Sequence, residues 1–389
     1  MRIIGDNMTD VEVDNKTLVD EAVSTALGVE EERLDQGWII DKPFDPDKIK
    51  VTTERKTIDL IIRRIDHGEV DLAPEFQRRA RVWHPRRKSQ LIESLLLRIP
   101  LPVFYVAANH RDDWAVVDGL QRLTTIFDFM KNVFPLTGLE YLDALDGLTF
   151  GRLDRSMQRR IEETELVINV IQPGTPEEVM INIFKRINTG GAPLTGQEIR
   201  NALHKGPVRE FLRGLADSAE FKSATDNRVR DERMDAQEMV LRFLAFRMTA
   251  WAEYRVNDLD AFLNDAMHQL NAMSQEGRDA LGLEFRRAMR AATSIFEGDA
   301  FRKPRILGGS RNPVSKPLFE AWSVNLACLN DEEISLLVEQ RQAVRDAFQS
   351  LVRDDPEFVI SISYSTGVPR RVSKRFGEVA RLVRQFVPE

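Results

Sequence analysis

The spacing of apolar and polar positions changes once along this chain. Between about residues 50 and 172, short alternating or continuous apolar runs are interleaved with amphipathic stretches, and beyond residue 206 the period is helical almost throughout. In the first region Lys50–Thr53, Val70–Leu72, Val103–Ala107, Ala115–Val117 and Glu165–Gln172 read as strands. The run of Val167, Ile168, Val170 and Ile171 in the last predicts burial on both faces. Thr57–Asp66 reads as a helix capped by Thr57, Arg86–Arg98 as one with Leu91, Ile92, Leu95 and Leu96 inward, and Arg155–Glu163 as a third. Pro100 and Pro102 stop the second of these. The polar turn Asn109–Asp113 joins two strands, and residues 134–153, with Pro135, Gly138, Gly147 and Gly151, form an irregular connection.

A turn at Pro173-Gly174-Thr175-Pro176 leads into a predicted helix over Glu177–Ile187, closed by Asn188-Thr189-Gly190-Gly191. Thr195 with Glu198 three residues on spells a capping box for the next helix. Further helices are predicted over Val208–Leu215, Ala236–Trp251, Leu259–Met273, Arg278–Phe296, Pro317–Cys328, Glu332–Ser350 and Lys374–Phe386.

A chain of 389 residues with 42% hydrophobic content suggests two or three domains with ample core. Cys328 is the single cysteine, which excludes an intrachain disulfide and a cysteine-built metal cluster and fits a reducing cytoplasm. No N-terminal apolar core and no run of 18 apolar residues is present, so neither a signal peptide nor a membrane span is expected. Net charge is −7, but residues 1–47 hold thirteen acids against Arg2, Lys16, Arg33 and Lys42, a balance of −9, so the remainder carries about +2. The acidity belongs to an N-terminal arm. It reads either as a solvated leader or as a segment that competes with polyanions for a basic groove.

The candidate chemistry centres on Trp114-Ala115-Val116-Val117-Asp118-Gly119-Leu120-Gln121-Arg122-Leu123-Thr124-Thr125-Ile126, an apolar run ending in Asp-Gly and passing at once into an amphipathic helix. Amides at such a helix start can face an anion, and glycine lets a phosphate approach the backbone. Arg122 can make bidentate contacts to phosphate oxygens, and Asp118 can hold a ribose hydroxyl or a metal-bound water. The plainer alternative is a strand–turn–helix in which Asp118 only caps the helix. For Glu198 the capping box is the competing explanation, and for Arg200 it is an ion pair to a neighbouring helix. His84 and His110 lie in polar loops without a second ligand at metal spacing, and no protein-built metal site is expected.

Around that segment stand Asp71-Leu72-Ala73-Pro74-Glu75-Phe76-Gln77-Arg78, Val82-Trp83, Ser89–Pro102, and Phe184-Lys185-Arg186-Ile187-Asn188-Thr189-Gly190-Gly191 followed by Leu194–Asn201. In this order, over roughly residues 55–205, the chain closely resembles domain-of-unknown-function family 262, the GmrSD-like N-terminal domains of the ParB/sulfiredoxin-like superfamily. The resemblance implies an α+β ParB/sulfiredoxin-like nucleotide-binding domain over residues 48–205, between the arm at 1–47 and a mostly helical domain at 206–389. It implies an NTP-binding, NTP-hydrolysing component of an anti-phage, modification-dependent restriction system, with magnesium as the companion ion and DNA as partner. Asp118, Gln121 and Arg122 are then the catalytic candidates, and Gln77, Arg78, Gly119, Thr124, Arg186, Asn188 and Arg200 the nucleotide-binding ones. One departure from the family is Leu120, where the family carries glutamine, and it bears on hydrolytic rate more than on binding.

Basic loops complete the picture. Arg302, Lys303 and Arg305, with Arg370, Arg371 and Lys374 near the end, read either as solvated loops or as contacts to DNA backbone. The last histidine is His268, so the final third lacks the base of a His-Asn-His nuclease, and no Pro-Asp…Glu-x-Lys constellation is found. Cutting is therefore expected of a partner nuclease chain, and oligomerisation is open. The alternatives are a non-enzymatic ParB-like nucleotide switch on DNA, or direct nicking by the Asp118–Arg122 cleft.

Overall fold

The computed structural model of the chain describes residues 28–30, 50–72, 83–175, 180, 183, 195–231, 233–305 and 311–387. Within them five strands form one mixed sheet: β1 (Val51–Thr57), β2 (Val70–Asp71), β3 (Phe104–Ala108), β4 (Trp114–Asp118) and β5 (Glu165–Ile171). Their spatial order is β1-β5-β3-β4-β2. β1 runs antiparallel to β5, from Val51 opposite Ile171 to Thr57 opposite Glu165. β5 is parallel to β3, β3 antiparallel to β4, and β4 parallel to the short β2.

Because side chains alternate across a pleat, the sheet sorts its apolar residues into two layers. Val106, Trp114, Val116, Leu166, Ile168 and Val170 point into one core with α1 (Ile58–Asp66), α2 (Pro85–Leu96), α3 (Leu120–Met130) and α4 (Arg155–Glu162). Ala107, Val117 and Ile171 point to the opposite face, where Ile199 of α5 (Gly196–Leu203) packs on them with Met180 and Ile183. The expected two-sided burial of β5 holds for Ile168, Val170 and Ile171 but not for Val167, which is only partly covered.

Most boundaries in the sheet region follow the local pattern to within two residues, while β1 runs on to Thr57, four residues past the expected Lys50–Thr53. Thr57 caps α1, its Oγ1 accepting from the Leu60 amide at 3.4 Å. Thr195 and Glu198 form the expected capping box on α5. The connection over residues 134–153 is irregular with two short 3-10 turns, and Glu93 of α2 holds it in place. That carboxylate is buried and accepts the amides of Glu140, Tyr141 and Leu142 at 2.7–3.0 Å. Burial alone would raise its pKa, but these amides hold it below the usual range.

The helical half comprises α6 (Pro207–Ala216), α7 (Ala219–Ala224), α8 (Asp235–Met248), α9 (Leu259–Ala272), α10 (Gln275–Phe296), α11 (Lys316–Ala327), α12 (Asp331–Glu339), α13 (Arg341–Asp354), α14 (Pro356–Ser361) and α15 (Pro369–Val383). Phe243, Phe246, Phe285, Phe319, Trp322 and Phe376 fill one continuous core. One expected helix is corrected here: Glu332–Ser350 is two helices that meet at Gln340, not one. The Asp355 carboxylate accepts the Phe358 amide at 2.9 Å and starts α14.

Charged groups also enter this core. Glu238 on α8 meets Arg242 at 2.8 Å and Lys316 at 3.2 Å, and the fully buried Glu320 and Arg375 pair directly. Burial would push the Glu238 carboxyl up, yet Lys316, Arg242 and Arg200 around it drive it well below the carboxylate range. Among the described residues no helix is long and apolar enough to cross a membrane. Of the acidic arm, Gly28–Glu30 is described; the short helix that the spacing of Leu18, Ala22, Val23 and Leu27 predicts and the Trp38-Ile39-Ile40 segment expected to dock on the body lie outside the described residues, as does most of the predicted helix over 177–187 and its glycine stop.

Candidate functional site

The sheet delivers β4 to a turn that only glycine can make. Gly119 sits at φ 94° and forms the N-cap of α3 without offering a side chain to the first-turn amides. A Cβ built there would drive into the Phe104 ring, 2.8 Å from Cε1, and come within 3.1 Å of the Arg122 guanidinium. Beside the turn a register shift between Tyr105 and Val106 sets Asp118 opposite Tyr105. The amides of Leu120, Gln121 and Arg122 therefore open the helix next to the carboxylate that ends β4.

Arg122 does not project into open space. Its Nη2 lies 2.8 Å from Asp118 Oδ2 and 3.2 Å from the Val103 carbonyl, and Nη1 donates to the Pro102 carbonyl. The guanidinium also stacks 4.4 Å over the Phe104 ring. Its side chain is 13% exposed, and burial lowers its pKa while Asp118 opposes that shift. Asp118 and Arg122 thus form a neutral couple that fastens the Pro102–Val103 segment to the glycine turn. The sequence did not reveal Pro102, Val103 and Phe104 as parts of this arrangement, since carbonyl contacts across 20 and 19 residues leave no local pattern. Gln121 is partly exposed on the first turn of α3. Thr124 spends its hydroxyl on the Leu120 carbonyl at 2.9 Å, within the helix.

The remaining site residues divide. Gln77, Arg78, Arg186 and Asn188 lie outside the described residues. What is described are the flanks of their segments. Asp71, at the end of β2, is held by Arg209 at 3.0 Å and Lys205 at 3.8 Å, and Ile183 and Ile199 pack beside Val117. Arg200 corrects the nucleotide-binding expectation: its side chain is 1% exposed, and it binds Asp260 of α9 at 2.6 Å and Gln197 at 2.9 Å. Helical geometry explains the correction, because Ile199 faces the sheet and the next residue faces the helical half. Glu198 is likewise structural, paired with Arg233 at 3.0 Å as well as with the Thr195 amide; burial, the larger influence, still raises its pKa.

The basic loops are mostly neutralised at short range. Arg302 is 4% exposed and donates to the carbonyls of Gly298, Asn312 and Thr225, so it is a scaffold residue and not a DNA-facing one. Lys303 pairs with Glu30 at 2.6 Å, Arg305 with Asp299 at 2.7 Å, and Lys374 with Asp355 at 2.7 Å. Arg371 donates to the Tyr364 carbonyl, whereas Arg370 remains 85% exposed beside Glu357. Among the described residues no group of three His, Cys, Asp or Glu side chains could hold a metal ion.

A mixed five-stranded sheet that ends one strand in a glycine turn, with helices on both faces, defines an α+β domain built around a strand–turn–helix. Residues 58–205 match the family model of the GmrSD restriction endonuclease, N-terminal domain, and this part of the chain is a GmrSD-like N-terminal domain of the kind restriction systems contain. The helical half lies beyond the match. No curated protein matches the chain.

Proposed function

We propose that the GmrSD-like domain, folded as a ParB/sulfiredoxin-like module, binds a nucleoside triphosphate at the Gly119 turn and hydrolyses it slowly, as the nucleotide-dependent component of a modification-dependent restriction system acting on DNA with a nuclease on another chain. The observation that carries this reading is the uncapped first turn of α3, set directly against the Asp118–Arg122 couple. Phosphoryl transfer needs positioning and charge stabilisation more than covalent chemistry from the protein. The first-turn amides hold phosphate oxygens, and Arg122 exchanges Asp118 for phosphate when the nucleotide enters. Asp118, released from that pair, orients the attacking water, and Gln121 supports it from the next turn position. With one carboxylate available, a magnesium ion fits here in the way usual for this ion, through a single carboxylate and the phosphates themselves, and it would neutralise phosphate charge.

A second reading has its own support. Arg122 is pinned by Asp118 and two carbonyls, so a phosphate can recruit it only by loosening the Pro102–Val103 segment, which is the behaviour of a ParB-like switch that needs no turnover. The two are separated by phosphate release from each of the four NTPs, with and without DNA, alongside calorimetric binding. Binding with release supports the hydrolase, and binding without release supports the switch. Absence of binding by all four removes both. Nicking of plasmid in the presence of magnesium would instead favour direct cleavage by this cleft.

A further inference from the structure

The acidic arm touches the described structure at Gly28–Glu30, and it does so through an isolated β-bridge. The Glu30 amide donates to the Val314 carbonyl at 2.8 Å and the Val314 amide to the Gly28 carbonyl at 2.9 Å, a parallel bridge with Val29 opposite Val314. Val29 is 6% exposed and Val314 fully covered. Gly28 adopts φ 78°, and a Cβ there would collide with the Arg228 carbonyl oxygen. Glu30 then sets its carboxylate 2.6 Å from Lys303 Nζ. The arm is thus fastened by backbone, by an apolar side chain, by a glycine-only conformation and by an ion pair.

The face that receives it is cationic and joined by bridging acids. Asp226 sits between Arg228 at 3.8 Å and Arg311 at 2.6 Å, and Asp299 between Arg311 at 2.9 Å and Arg305 at 2.7 Å. Below them lies Arg302, whose pKa is lowered by burial first and then by Arg311 and Arg228 against Asp226 and Asp299. Above this buried scaffold residue four cations, Arg228, Lys303, Arg305 and Arg311, meet Asp226, Asp299 and the arm's Glu30. Glu31 and Glu32 follow Glu30 directly in the chain, and the arm as a whole carries −9. A tethered acid of this kind acts at a high effective concentration on whatever surface its anchor reaches.

We infer that Gly28–Glu30 anchors the arm as an intramolecular competitor on the Arg228–Arg305–Arg311 face, and that this face binds nucleic-acid backbone once the arm is displaced. The inference rests on the proposed function only in taking DNA as the polyanion; the nucleotide site plays no part in it.

The test uses full-length protein and two substitutions. Gly28→Val leaves the charge unchanged. Val29→Asp adds a negative charge, so simple electrostatics predicts weaker DNA binding, whereas release of the arm predicts tighter binding. Arm release is read as faster tryptic cleavage at Arg33, and DNA affinity as fluorescence anisotropy of a random-sequence duplex across a salt series. Both variants should show faster cleavage and about tenfold tighter binding at low salt, with a steeper fall of affinity as salt rises. Lys303→Glu combined with Val29→Asp should reverse that gain. Faster cleavage without tighter binding overturns the competition, and unchanged cleavage in both variants overturns the anchor. Nucleotide binding measured on the same samples reports separately on the Gly119 site, so failure there is distinguishable from failure here.

Discussion

Replacing Gly119 by alanine tests the central turn most directly. Two costs can be separated. At φ 94° an alanine sits in a region L-residues avoid, which costs about 1–2 kcal/mol. Its Cβ would also press on the Phe104 ring, whose side chain is 2% exposed and has little room to yield. Overpacking of that kind costs about 1–3 kcal/mol. The expected loss is therefore about 2–5 kcal/mol of unfolding free energy, read from urea denaturation followed by circular dichroism. A second variant, Gly119→Ala with Phe104→Leu, relieves the packing but not the backbone. It should recover about 1–2 kcal/mol as a positive coupling between the sites. Nucleotide affinity should stay impaired in both, because the methyl group also stands where a phosphate must approach. A Gly119→Ala protein within about 0.5 kcal/mol of the original, an ordinary surface effect, would refute the geometry. Coupling near zero would mean that Phe104 is not what the methyl meets.

Arg122→Lys keeps the charge but cannot reach Asp118 and two carbonyls together, so calorimetry should show NTP binding weakened by about 1.5–3 kcal/mol while the fold survives; unchanged affinity would remove Arg122 from the site. Leu120→Gln restores the family residue and should give equal or faster phosphate release, and a loss of activity without loss of stability would show that the apolar residue is needed. Glu93→Gln leaves three amides facing a weaker acceptor and should cost about 1–3 kcal/mol in urea. A fourth expectation concerns acid. Burial foremost, then His268, with Arg200 and Arg209 adding to it against a hydrogen bond that the ring donates to Asn264, lower His204 from 6.5 to about 4. The folded state therefore keeps His204 neutral where the unfolded chain protonates it. Stability from this residue is complete above pH 6.5 and is lost as pH falls toward 4, a change of about 3 kcal/mol. His204→Asn should flatten that part of the stability–pH curve, and an unchanged curve would assign the acid sensitivity elsewhere.

The parts of this protein legible in its sequence are those fixed by neighbours a few residues away. The Asp118-Gly119 turn, the caps at Thr57 and Thr195 and the apolar runs of β3 and β4 each arise from contacts within a few positions, and each stands where the pattern places it. The six-residue α7, too short for a helical period, left no such signal. The break at Gln340 carries neither glycine nor proline, so nothing local announces it. Charge proved the least legible quantity. Arg200, Arg302 and Arg370 look alike along the chain, yet the first is buried against Asp260, the second is surrounded by carbonyls, and the third is in solvent. Which of these an arginine meets depends on partners 60 or 77 residues away, or, for the exposed Arg370, on Glu357 at 13 residues.

The two-faced α5 bears on how such a domain can be inherited. The family match ends at residue 205, yet Arg200, inside that boundary, is satisfied by Asp260 beyond it, and Asp71 by Arg209. A copy of the module severed at the match boundary would lose both Asp260 and the helices that cover Arg200, and a new partner that covers this guanidinium again without offering a carboxylate would bury it unpaired, a loss of the order of 3–5 kcal/mol. The matched segment thus ends inside the contacts that join α5 to the helical half. Any recombination that grafts this GmrSD-like domain onto a new C-terminal partner has to bring a replacement for Asp260, or change Arg200 in the same step.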